Sequence, residues 1–308
     1  MSGLATVGLS VAAIALIAVA MRDIFETLLH PEGRGPVARG VMGAVWRLCR
    51  RTRSRRMLLL AGPLGLLLVV GVWAGLFVVG WALLLWPQLE HGFHAEAPGG
   101  TGFVDAVHLS LTTLTTLGSA EFVPEEGWLR IVGPLEALVG FGLLSASISY
   151  LLLIYPALAR RRSLAYEIHL LRETERRTGI SAADPGSAAA ERLCAELTSR
   201  VVAVERDLVA LPVTYYFTES DERFALAATI PYLLEFAERE RRPDGEERLR
   251  LRAHLLREAI DDLAGTTASS FPQTRADSTE AIFAAYAREH LYESGVPATT
   301  RSTGNSRE

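Results

Sequence analysis

The 308-residue chain contains no lysine, and all 31 of its basic residues are arginine. Cysteine is equally scarce: Cys49 and Cys194 stand alone, and two isolated cysteines support neither a disulfide framework nor a metal site. The charged part of the chain also lacks a G-x-G-x-x-G phosphate turn, and it shows no nucleophile with a paired base. We therefore predict neither an enzyme nor a nucleic-acid partner, and we expect no bound cofactor.

Three long apolar runs dominate the first half of the chain, at residues 4–21, 57–86 and 128–155. Each is long enough to cross a hydrocarbon core of about 30 Å. The first run has an alternative interpretation as a signal peptide, because residues 18–20 (Ala-Val-Ala) resemble a cleavage site. Arginine follows this run instead of preceding it, which favours a retained N-terminal helix over residues 1–21.

Charge is sorted along the chain in a way that predicts topology. The segment 22–56 holds nine arginines and three acids, whereas residues 87–129 hold six acids and no arginine. Short loops rich in arginine stay in the cytoplasm. We therefore predict a multi-pass protein of the cell membrane with its N-terminus outside and its C-terminal part in the cytoplasm.

The basic segment 22–56 ends in a dense cluster beside the second apolar run. Such clusters attract anionic lipid headgroups. A topology anchor without a specific ligand is the alternative, and we favour it. The cluster consists of Arg47, Arg50, Arg51, Arg53, Arg55 and Arg56.

A short helical segment and a Thr/Gly-rich turn lie between the second and third apolar runs. At membrane depth, irregular backbone persists only where it is packed in protein or lines a watery cavity. A turn placed there is a functional feature by default. The residues that mark it are Thr113, Thr115, Thr116, Gly118 and Pro124.

This stretch resembles the potassium-channel pore-loop family, whose signature reads T-x-T-T-V-G-Y-G-D-x-x-P. The five residues just named stand in register with it, and Phe103, Asp105, Ala106 and Ser110 match the helix that precedes the filter. The resemblance covers about residues 57–160. It implies a pore domain over 57–159, with an outer helix at 57–86, a pore helix at 103–115, a filter at 116–121 and an inner helix at 128–155.

The resemblance also implies a homotetramer, because four loops must surround one axis to complete the carbonyl rings that coordinate potassium. The sequence departs from the signature at four filter positions. Of these, Ala120 replaces a glycine whose backbone conformation is largely closed to residues with a Cβ, and Ser119 lacks the bracing tyrosine ring. We therefore expect weakened potassium selectivity. The residues assigned to the filter are Thr115, Thr116, Leu117, Gly118, Ser119, Ala120 and Glu121.

Four further residues near the filter carry predictions. Asp105 and Glu136 are assigned to filter support; for Glu136 we favour a hydrogen bond behind the filter over a carboxylate that reaches the membrane surface. Gly140 and Gly142 indicate either a gating hinge or close helix packing through small residues, and the sequence does not decide between them. Outside the membrane, the H-x-x-H pair at residues 91–94 is weak evidence for a metal, and we predict no metal site.

Residues 160–292 have the composition of a soluble helical domain, and residues 293–308 that of a disordered tail. Leu249, Ala253, Leu256, Ile260 and Leu263 recur at helical spacing. We predict an all-α membrane protein with three transmembrane helices, a re-entrant pore helix and filter loop, and a cytosolic α-helical domain. Its predicted function is a homotetrameric channel for potassium or other monovalent cations. The alternative is a non-conducting, channel-derived membrane anchor whose helical domain binds a partner or senses a signal; no ligand of that domain is identified.

Overall fold

The structure is a computed structural model, and it describes residues 3–28, 35–95, 101–119, 121–180, 188–241 and 246–292. Within these ranges the elements are helices apart from one two-stranded sheet. The helices are α1 (Gly3–Leu28), α2 (Pro36–Arg51), α3 (Arg55–Leu85), α4 (Phe103–Leu114), α5 (Leu129–Thr178), α6 (Ala188–Ala210), α7 (Leu226–Glu240), α8 (Glu247–Ser270) and α9 (Thr279–Glu289). Strands β1 (Phe93–Ala95) and β2 (Phe122–Pro124) pair antiparallel.

Three helical segments are long and apolar enough to cross a membrane: Leu4–Leu28, Arg55–Gln88 and Leu129–Thr178. Their most apolar windows have mean hydropathies of 2.4, 2.4 and 2.1. The predicted fold class, an all-α membrane protein with three spans and a helical C-terminal part, is confirmed.

The helices extend beyond the bounds that the apolar runs suggest. Helix α1 continues past residue 21 to Leu28, and α5 continues past residue 155 and through the three arginines at 160–162 to Thr178. Arginine, glutamate, leucine and alanine are all good helix formers. The change from apolar to charged sequence therefore marks where the helix meets a different solvent, and not where the helix ends.

The chain divides into two compact units. The first comprises Met1–Leu48, Leu60–Pro156 and Ala210–Tyr216, and it contains most of the apolar helices. The second comprises Cys49–Leu59, Ala157–Val209 and Phe217–Glu308. The predicted tail at 293–308 lies outside the described residues.

A buried carboxylate joins three helices of the first unit. Asp23 of α1 is 1% exposed and accepts hydrogen bonds from the backbone N–H groups of Val37 (2.7 Å) and Ala38 (3.1 Å) in the first turn of α2. Its Oδ2 atom also accepts one from Nε1 of Trp73 in α3, at 2.7 Å. Asp23 thus caps the N-terminus of α2, whose first backbone N–H groups have no acceptor within the helix. In the sequence, Asp23 stands out only as one of the three acids of the basic segment 22–56.

Helix α2 is amphipathic. Ala38, Met42 and Trp46 recur every fourth residue and are buried, whereas Arg39 and Arg47 are exposed. The Trp46 ring contacts the rings of Tyr215 and Tyr216, with centroids 5.9 and 5.6 Å away. This aromatic cluster explains why the short 3₁₀ turn Pro212–Tyr216 belongs to the first unit.

Helices α7, α8 and α9 pack against one another in a bundle of the second unit, and Oγ1 of Thr266 in α8 donates a hydrogen bond to Glu205 of α6 at 3.0 Å. The α8 residues that recur at helical spacing, from Leu249 to Leu263, are all buried. In α7, Ile230, Leu233 and Phe236 are fully buried. The spacing of apolar residues therefore predicted correctly which face of α8 packs inward.

Candidate pore turn

Asp105, which was assigned to filter support, lies in the first turn of α4. The Oδ2 atom of Asp105 accepts a hydrogen bond from the backbone N–H of Gly102 at 2.9 Å, which caps the N-terminus of the helix. Asp105 lies nine residues before Leu114, about 14 Å along a helix that rises 1.5 Å per residue. The structure therefore places Asp105 at the end of α4 that is remote from the turn, where it orients the helix.

The C-terminal end of α4 closes in a tight backbone turn. The N–H of Thr116 donates to the carbonyl of Thr113 at 2.9 Å, and the N–H of Leu117 donates to the carbonyl of Thr112 at 2.9 Å. The N–H of Gly118 donates to the same Thr112 carbonyl at 3.0 Å. The first two bonds define a Schellman motif, which satisfies the last carbonyls of a helix.

Two residues of this turn have positive φ angles, Thr116 at 59° and Gly118 at 76°. Glycine adopts such angles freely, but a β-branched residue there is an outlier. The left-handed conformation costs a residue with a Cβ about 1–2 kcal/mol. Such strain persists only where the surrounding structure imposes it, and it is concentrated at functional sites.

The threonines before the turn direct their hydroxyls into their own helix. Oγ1 of Thr113 donates to the Leu109 carbonyl at 2.8 Å, and Oγ1 of Thr115 donates to the Leu111 carbonyl at 2.7 Å. These bonds hold the side chains against α4. Thr116 follows without such a bond among the described contacts, at the most strained position of the turn.

The residues of the turn face away from the protein interior in the single chain. Thr115, Thr116 and Gly118 are exposed, and Leu117 is 79% exposed. Ser119 is half-buried, and its Oγ accepts a hydrogen bond from the Glu121 N–H at 3.2 Å. Ala120 lies outside the described residues, so its predicted steric effect on the filter stays a prediction.

Glu136 is fully buried behind α4. Its Oε1 atom accepts a hydrogen bond from Oγ of Ser110 at 2.5 Å, and both residues are 0% exposed. Its Oε2 atom has no hydrogen-bond partner among the described residues. The geometry matches the hydrogen bond that sequence analysis favoured, and not a carboxylate at the membrane surface. A role of this bond in supporting the filter stays a prediction.

Gly140 and Gly142 occupy different environments on α5. A Cβ atom on Gly140 would lie 1.8 Å from the carbonyl oxygen of Leu114, whereas a Cβ on Gly142 would meet nothing within 4 Å. Gly140 thus allows the backbone of α5 to contact the end of α4. The predicted hinge at either residue remains untested.

Three pairs of histidine and carboxylate lie near the turn, in α4, in β1 and in the segments beside them. His108 lies 3.8 Å from Glu121, His94 lies 3.7 Å from Glu125, and all four side chains are at least half exposed. His91 lies 4.0 Å from Glu90. Within the described residues no group of three or more metal-binding side chains comes together. Glu96, which completes the predicted acidic loop, lies outside them.

The structure divides the basic cluster at 47–56 between different partners. Arg50 forms an ion pair with Glu289 at 3.0 Å, and Arg55 forms one with Glu222 at 3.0 Å. Both pairs lie within the second unit. Two arginines of the cluster, for which lipid binding was the less favoured interpretation, are thus engaged by protein carboxylates.

Residues 63–155 match a family model described as "Ion channel". The chain is also similar to a protein of Bacillus subtilis (strain 168) described as "Uncharacterized membrane protein YdjJ", with 27% identity over 164 residues. That alignment covers 52% of this chain and 48% of the relative, so the chain spans about half the length of the curated relative it matches. No solved structure matches the chain.

Proposed function

We propose that this chain is one subunit of a homotetrameric channel for potassium or other monovalent cations, and the match of residues 63–155 to the "Ion channel" family model supports this proposal. The observation that carries the proposal is the strained turn at Thr116 to Gly118, between two helices of membrane-spanning length. Each chain supplies one such turn. Four chains around one axis are therefore needed to surround an ion with backbone oxygens.

The exposure of the turn supports assembly. Leu117 and Thr116 are exposed in the single chain, and neighbouring copies of the turn would enclose both residues. Helix α5 likewise exposes apolar side chains along its span, which lipid or a second subunit would cover. They include Ile131, Leu138, Phe141, Leu144, Ile148 and Leu152.

Weak selectivity follows from the residues that depart from the family signature. Ser119 holds the N–H of Glu121 through its hydroxyl, which is a smaller contact than a tyrosine ring would make. Ala120 in a left-handed conformation would cost about 1–2 kcal/mol in each subunit. Both substitutions favour a wider outer filter that coordinates potassium less closely.

One observation favours the alternative, a channel-derived anchor that does not conduct. The N–H groups of Leu117 and Gly118 both turn back to the Thr112 carbonyl, so the chain continues α4 as a cap and does not extend as a strand. A conducting filter requires a row of carbonyls along the axis. The alternative keeps the capped turn, and the helical bundle of the second unit then carries the function by binding a partner.

Charge distribution supports the proposed orientation in the cell membrane. The arginines of the segment 22–56 and of residues 160–162 would face the cytoplasm, and the acidic loops around the turn would face outward. Carboxylates at a pore mouth concentrate cations there. An anionic lipid headgroup near Arg47, Arg51, Arg53 and Arg56 is the second role considered for the basic cluster, after the favoured role as a topology anchor.

Ion flux through purified protein in liposomes tests the proposal. We expect potassium-driven uptake of a rubidium tracer, and a detergent-solubilised mass of four subunits. Gly118→Ala should abolish the flux, because Gly118 has a positive φ. Gly127→Ala is the matched control, because a Cβ meets nothing within 4 Å at either glycine but only Gly118 has a positive φ. A tetramer that carries no flux would support the anchor instead, and a conducting dimer would contradict the proposed assembly.

A further inference from the structure

A buried carboxylate in the second unit, that of Glu219, forms ion pairs with two arginines of α5. Oε1 of Glu219 lies 2.8 Å from Nε of Arg162 and 3.5 Å from Nη2 of Arg161. Glu219 and Arg161 are 8% and 7% exposed. Arg161 also donates to the backbone carbonyl of Phe217 at 2.7 Å. The segment that follows the 3₁₀ turn Pro212–Tyr216 is thereby bound to the continuation of α5 beyond its apolar span.

The backbone of Glu219 is held by one phenol. The Tyr292 hydroxyl accepts a hydrogen bond from the Glu219 N–H at 3.0 Å and donates one to the Glu219 carbonyl at 2.8 Å. Burial raises the pKa of Tyr292 to about 12, so the hydroxyl keeps its proton and both bonds at any physiological pH. Tyr292 thus fixes the position from which Glu219 reaches α5.

The same tyrosine contacts the first turn of α3. The Arg55 guanidinium lies over the Tyr292 ring, 4.9 Å from its centroid, and Nη1 of Arg55 lies 3.0 Å from Glu222. The Arg55–Glu222 pair is partly exposed and contributes little by itself. The pair of Glu219 with Arg161 is different, because both side chains are buried and breaking a buried ion pair is strongly destabilising.

We propose that Glu219 and Tyr292 are positioning residues that join the start of α3 to the continuation of α5, so that the helical bundle of the second unit controls the opening of the pore. Every contact in this link lies within the second unit. Movement of the bundle therefore acts at the same time on the start of α3 and on the part of α5 beyond its apolar span. The effect on opening rests on the proposed conduction, whereas the link between the two segments does not.

Hydrogen exchange of the full-length protein in lipid nanodiscs tests the link without any reference to conduction. Glu219→Gln and Tyr292→Phe should each raise amide exchange in both segments, 49–59 and 157–165, since local opening governs exchange. Tyr292→Phe retains the ring beneath Arg55 and removes only the hydroxyl. Faster exchange confined to residues 217–222 would overturn the link.

Glu173→Gln is the matched control for charge. Glu173 also pairs with two consecutive arginines, Arg176 at 2.9 Å and Arg177 at 2.5 Å, but all three lie on α5 itself. The Glu173→Gln variant should leave amide exchange in residues 49–59 unchanged. An equal effect of Glu173→Gln would show that loss of charge, and not the link, produces the change.

Single-channel recording tests the consequence for opening. Glu219→Gln and Tyr292→Phe should change the open probability by about fivefold or more, the lower range of coupling between sites, at unchanged unitary conductance. Equal open probability in wild type and both variants would overturn the control of opening while conduction stands. A wild type without any current would refute the proposed conduction and the control of opening together, and the exchange experiment would still decide the link.

Discussion

Gly140 of α5 lies so close to the end of α4 that a Cβ atom on it would stand 1.8 Å from the carbonyl oxygen of Leu114. The strained turn begins at Thr116, two residues after Leu114. Direct contact between the two backbones therefore fixes where the turn sits relative to α5. Close packing through a small residue, one of the two roles considered for Gly140, is present in the structure.

The first prediction separates the two glycines of α5. Gly140→Ala should abolish tetramer assembly or flux, because Leu114 backbone atoms cannot move aside as a flexible side chain would. Gly142→Ala should keep assembly and gain about 1 kcal/mol of helix stability. Size-exclusion chromatography and flux measure both variants. Normal behaviour of Gly140→Ala would mean that α4 and α5 are not in contact in the assembled protein.

The second prediction concerns the hydrogen bond between Ser110 and Glu136. Ser110→Ala removes the donor to a buried carboxyl group and should lower the free energy of unfolding by about 1–3 kcal/mol. Ser147→Ala is the control, because Oγ of Ser147 donates only to the Leu143 carbonyl of its own helix; its effect should stay within about 0.5 kcal/mol. The unfolding midpoint in detergent reports both, and equal midpoints would rule out the bond.

The third prediction uses the strain at Thr116. Thr116→Gly should stabilise the turn by about 1 kcal/mol, since glycine adopts a φ of 59° without the cost of a Cβ. Thr115→Gly should destabilise it, because Thr115 has a φ of −79° and gains nothing from glycine. Thermal unfolding of the two variants gives opposite shifts. If both shifts have the same sign, the turn of the single chain is not the turn of the assembled protein.

The fourth prediction concerns selectivity. The double change Ser119→Tyr with Ala120→Gly should raise the potassium-to-sodium permeability ratio, because it restores a bracing ring and removes a Cβ from the outer filter. Reversal potentials under bi-ionic conditions measure the ratio. Thr116→Ala serves as a comparison that should disturb conduction without tightening selectivity. An assembled double variant with an unchanged ratio would mean that selectivity is set elsewhere.

The fifth prediction concerns orientation. In a Cys49→Ser background, a cysteine at exposed His91 should react with an impermeant thiol reagent on intact cells, and one at exposed Arg53 should not. The native Cys194 needs no replacement: it is buried, and burial raises the pKa of its thiol to about 11, so little thiolate forms at neutral pH. The opposite labelling pattern would invert the proposed topology.

Local sequence signals were sufficient for the membrane helices and for the turn. Length without charge identified the runs that became α1, α3 and α5, and helical spacing identified the buried face of α8. The threonines and glycine of the turn could be found because their pattern is contiguous. These features depend on residues that are neighbours in the chain or one helical turn apart.

Only the tertiary structure decided which distant residues form polar contacts. Asp23 caps α2 and binds Trp73, 50 residues away, and Ser110 binds Glu136, 26 residues away. Glu219 receives Arg162 and is held by Tyr292, 73 residues further along the chain. Buried polar groups must find partners, but which partner each one finds depends on how the helices pack. Apolar spacing determines which face of a helix is buried. Only the packed structure determines which polar side chains become partners.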